Sequence, residues 1–189
     1  MHPLLPSLAA AVLYFGAAGY QGLHLARRSQ PSNAVLLLVG VVALLFHGGS
    51  LFMQMHNSAG LNLDFFNTSS LIAFTVIALI LLACQRMPVH NLLLFLFPLG
   101  GLTVLCAQFM PSGTSQPIEE GPGILAHILL SIVAYGMLTI AMFQSLLLLV
   151  QDHQLKHKHP SGLIRNFPPL QTMESLLFGF LWSGWALLS

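Results

Sequence analysis

Six long apolar stretches run through the chain, at roughly 4–26, 34–54, 66–85, 91–110, 123–150 and 170–189. A helix that crosses a bilayer needs about 20 consecutive apolar residues, and each stretch comes near that length. The breaks between them are rich in polar and helix-ending residues: Arg27, Arg28, Ser29, Gln30 and Pro31 close the first, Arg86, Met87 and Pro88 the third. PSGTSQPIEEGP, residues 111–122, separates the fourth from the fifth, and residues 152–169 separate the fifth from the sixth. Lipid offers no partner to an open backbone, so a spanning segment must be a helix or a strand of a closed barrel. The period-two alternation of a membrane barrel is absent. The expected fold is therefore all-α: a single polytopic transmembrane helix bundle over residues 1–189, with about six spans.

Charge orients the bundle. Every Lys and Arg falls in the first, third and fifth connections: Arg27 and Arg28, then Arg86, then Lys156, Lys158 and Arg165. The second and fourth connections have none, and the fourth carries Glu119 and Glu120. The positive-inside rule places the odd-numbered loops of this multi-pass protein in the cytoplasm and the N-terminus outside. The sixth stretch is short. Only fifteen residues follow Glu174, about 22 Å of helix against a ~30 Å hydrocarbon core, so further helices are expected beyond the last residue.

Composition agrees and removes several functions. Apolar residues make up 56% of the chain and charged residues 6%, where a soluble domain carries about 25% charged; lipid is the solvent and the first partner. No basic patch with interleaved aromatics supports nucleic-acid binding. The N-terminal stretch lacks a basic leader and a cleavage site and reads as a retained span. Cys84 and Cys106 lie near opposite ends of successive spans, too far apart for a disulfide, and read as small buried apolar residues. There is no G-x-S-x-G, HExxH or phosphate loop, and no pair of intramembrane carboxylates. The expectation is a protein without catalytic residues.

Two histidines stand out against this background. His47 interrupts VLLLVGVVALLFHGGSLFM and His127 interrupts GILAHILLSIVAYGMLTIAM. An ionisable side chain inside a span is costly and marks a functional site by default. His47 precedes Gln54 by seven residues, about 10 Å of helix, and His127 follows Gly123 by four, about 6 Å. Opposite helix directions thus bring both to a similar depth below the outer face. Gly48 and Gly49 clear space beside His47. Ser131 and Tyr135 share the helical face of His127 and can orient a metal-bound imidazole. Phe46, Phe52 and Phe143 offer apolar walls. Imidazole is a common axial ligand of haem iron, and helix bundles host such cofactors in their cores. The cofactor-binding set is therefore His47, His127, Ser131 and Tyr135, with His47 and His127 as metal ligands; helices two and five must then face one cavity. Alternatively, the histidines are helix-packing contacts in a non-catalytic scaffold or accessory subunit that docks through residues 152–169.

Weaker features remain. His153, His157 and His159 form an HxxxHxH cluster on a solvated helix end. His56 and Asp64 add polarity to the second connection, and His2, His24 and His90 suit membrane interfaces. Pro98 within PLGG is expected to bend the fourth helix.

The stretches LLFHGGSL, GILAHILLSIVAYGMLTIAMFQSLLLL, DHQLKHK and FPPLQTMESLLFGF resemble the CcsA/HemX-type cytochrome c assembly family of membrane proteins. The resemblance covers essentially the whole chain, and the fifth helix with its PPLQTME sequel carries most of it. It implies a haem-handling bundle in which His127 and His47 match histidines associated with non-covalent, b-type haem held near the outer face, with a haem donor or acceptor, or another membrane subunit, as partner. The tryptophan-rich WWD segment of the cytochrome c synthases is absent. Trp182 and Trp185 do not replace it, so the resemblance implies haem binding without ligation of haem to a cytochrome.

Overall fold

A computed structural model of the chain describes residues 3–27, 29–57, 60–110, 122–156 and 168–189. Six α-helices carry the fold: α1 (Leu4–Ala26), α2 (Asn33–Met55), α3 (Phe65–Ala83), α4 (Leu93–Phe109), α5 (Pro122–Lys156) and α6 (Leu170–Leu188). One 3-10 turn, His90–Leu92, leads into α4. Between α2 and α3 the chain forms a two-residue antiparallel pair, His56–Asn57 with Gly60–Leu61, which the hydropathy pattern does not foretell. The fold is a polytopic transmembrane helix bundle. Five segments, α1, α2, α3, α4 with its leading turn, and α5, are long and apolar enough to cross a membrane. α6 has the length, but Gln171, Thr172, Glu174, Ser175 and Ser183 dilute its hydropathy.

The helices run up and down. Ser7 meets Ser50 and Tyr14 meets His47, so α1 and α2 are antiparallel. His47 meets Ser70 while Gly40 lies beneath Leu81, which sets α3 antiparallel to α2. Gly184 packs on Ala134 and Gln144 on Met173, which makes α6 antiparallel to α5. α1 lies against α2 and α4, and α5 against α6; α3 touches α2, α4 and α5 and so occupies the centre.

Small residues let the backbones approach, as expected where lipid gives no hydrophobic drive to helix association. A Cβ on Gly100 of α4 would collide with Ile77 of α3, and one on Gly40 would stand 2.8 Å from Phe97 Cζ. Pro98 lies inside α4 without ending it. The bundle is polar inward: Ser7, Gln21, His47, Ser50, Asn67, Ser70, Gln144 and Gln151 are buried, while Leu5 and Phe65 are about three-quarters exposed at 76% and 77%. Cys84 is buried, Cys106 half-buried, and both are free thiols.

α3 begins on a cap. The Asp64 carboxylate accepts a hydrogen bond from Asn67 N at 2.7 Å, satisfying one of the open amides of the first turn. Asp64→Ala is expected to cost about 1 kcal/mol, which for a chain of this size lowers the thermal midpoint by roughly 2–4 °C; Asp64→Asn should retain most of it. Equal melting of the alanine and asparagine variants would show that the cap contributes nothing.

Candidate functional site

His47 stands in the wall between α1, α2 and α3, with 0% of its surface exposed. Its Nδ1 lies 3.3 Å from the Tyr14 hydroxyl and its Nε2 3.0 Å from Ser70 Oγ. A neutral imidazole has one donor and one acceptor nitrogen, and two hydroxyls that can take either role complete both. Tyr14 and Phe74 also present their ring edges or faces to it at 5.9 and 5.4 Å, near perpendicular. Gly48 admits Phe74, whose Cε2 would lie 3.2 Å from a Cβ at that position. The space that Gly48 opens is therefore taken by Phe74.

A second polar cluster lies three to seven residues further along α2. Ser7 and Ser50 hydroxyls are 2.6 Å apart, Ser7 Oγ donates to Gln108 Oε1 at 2.9 Å, and Gln54 Nε2 donates to Ser50 Oγ at 2.7 Å. This ties α1, α2 and α4 together near one end of the bundle. Asn67, one turn from Ser70 on α3, is 3% exposed and its Oδ1 has no partner among the described residues.

His127 has the opposite surroundings. It is exposed on α5, and among the described residues it makes no hydrogen bond. Tyr135 on the same face is 55% exposed and Ser131 is half-buried. Gly136 packs on Val76 and Leu79 of α3, and His127 precedes it by nine residues, about 13 Å of helix. That brings His127 roughly level with Asn67, close in depth to the His47–Ser70 contact.

The two imidazoles share a depth but do not meet. α3 stands between α2 and α5, turning Ser70 toward His47 and Val76 toward Gly136. The expected common cavity between helices two and five is not formed within this chain, because the helix that follows α2 in sequence packs directly between them. Iron has access to His127. At His47 it would have to displace a hydroxyl from each nitrogen it took.

The remaining histidines serve locally or lie elsewhere. His24 Nδ1 is 2.8 Å from Ser29 Oγ and its ring packs on Tyr20 at 4.4 Å. His153 is exposed at the end of α5, beside the Lys156–Asp152 ion pair of 2.7 Å; His157, His159 and His2 lie outside the described residues, as does the side chain of His56. Phe143 stacks on Phe95 at 6.2 Å, away from either imidazole. Hydropathy reading missed Tyr14 and Ser70, the partners of His47. It also missed three buried glutamines, Gln21, Gln144 and Gln151, each of which donates to a backbone carbonyl across a helix boundary. The signal was available, since each is a lone amide in an apolar context.

Comparison with known proteins follows the same lines. The family model described as "Cytochrome C assembly protein" matches residues 35–189. The chain is 29% identical over 155 residues to "Inner membrane protein YpjD" of Escherichia coli strain K12, covering 81% of this chain and 59% of that protein. It is 33% identical over 97 residues to "Uncharacterized 28.8 kDa protein in nifR3-like 5'region" of Azospirillum brasilense, covering 51% of this chain and 35% of that one. The chain thus spans about three-fifths of the length of the curated YpjD sequences it matches. No solved structure matches it.

Proposed function

The chain belongs to the cytochrome c assembly protein family, and from that premise we propose that it binds and passes haem in a bacterial inner membrane, without catalysing haem ligation. The observation that carries this reading is His127: an imidazole on a membrane-spanning helix, open to an incoming group, with Ser131 and Tyr135 on the same face. His127 would hold the iron of a b-type haem through an imidazole nitrogen, and that iron would supply the coordination that a neutral imidazole lacks in lipid. Tyr135 and Ser131 would hydrogen-bond around that group and fix its orientation. The orientation that loop charge favours puts this face in the outer half of the membrane, on the side where an acceptor would collect the haem.

For His47 the closed hydrogen bonds favour the packing role. There the alternative of a helix-packing histidine is the better account.

The test is spectroscopic. Protein purified in detergent from haem-replete membranes is expected to show a Soret band, and apoprotein titrated with hemin to acquire one at stoichiometric loading. A purified, folded protein with neither bound haem nor affinity for added hemin overturns the proposal.

A further inference from the structure

We draw no further inference here: the strongest candidate, the apolar groove between α3 and α6 lined by Leu79, Leu82 and Met87 on one side and by the small-residue stripe Ser175, Gly179 and Ser183 on the other, is an unpartnered face, and nothing in the structure shows what covers it.

Discussion

His127→Ala is expected to abolish the Soret band while leaving the thermal midpoint within about 1–2 °C of the parent. The reasoning rests on exposure. Side chains that touch no neighbouring helix contribute within about 0.5 kcal/mol to stability, and His127 is exposed on α5 with no hydrogen bond among the described residues. Iron coordination is a different matter, because among the described residues of its own helical turn and the next no other side chain supplies a metal-binding nitrogen; its own face offers hydroxyls from Ser131 and Tyr135. Tyr135→Phe should keep the band but shift it, since the hydroxyl acts on the ligand and not on the iron. The measurement is absorbance of oxidised and reduced protein beside a melting curve. A band that survives His127→Ala and vanishes in His47→Leu would reverse the assignment.

His47→Ala is expected to act in the opposite sense, destabilising by about 3 kcal/mol with the cofactor assignment unaffected. Two effects contribute. Hydrogen bonds between membrane helices average about 0.6 kcal/mol each, so losing those to Tyr14 and Ser70 accounts for roughly 1 kcal/mol. Emptying a fully buried ring site adds about 2 kcal/mol or more through lost packing and the cavity left behind. The cavity is the larger part. His47→Leu, which refills most of the volume and leaves the hydroxyls unpaired, should therefore recover more than half of the loss. At roughly 2–4 °C per kcal/mol for a chain of this size, the alanine variant melts some 6–12 °C below the parent. Equal melting of the alanine and parent proteins would show that the contacts of His47 contribute little.

Most of the architecture is legible in the chain because lipid imposes a strict rule on length and hydropathy. The expected 4–26 and 34–54 stand beside Leu4–Ala26 and Asn33–Met55, and 170–189 beside Leu170–Leu188. The largest departure is α5, which continues six residues past its apolar run to Lys156. There the i,i+4 pair of Asp152 and Lys156 supports a solvated helix end, and hydropathy does not register that. Helix depth was equally readable, since direction and residue count fix it. Lateral arrangement was not. Which helix neighbours which depends on how Gly40, Gly100 and Gly136 admit Phe97, Ile77 and Leu79, and no periodicity of α2 or α5 alone reports that α3 comes between them. The same limit hid the partners of His47. Tyr14 and Ser70 are each one polar side chain in an apolar run, and only packing joins them to the imidazole.

The central position of α3 has a mechanical consequence. The nineteen residues Phe65–Ala83 divide the molecule into a sheltered side, where Tyr14, His47 and Ser70 interlock, and an open side, where α5 presents His127. Among the described residues, a changed side chain on the sheltered side disturbs contacts to three helices at once, whereas a change at His127 leaves the packing of α1, α2 and α3 as it is.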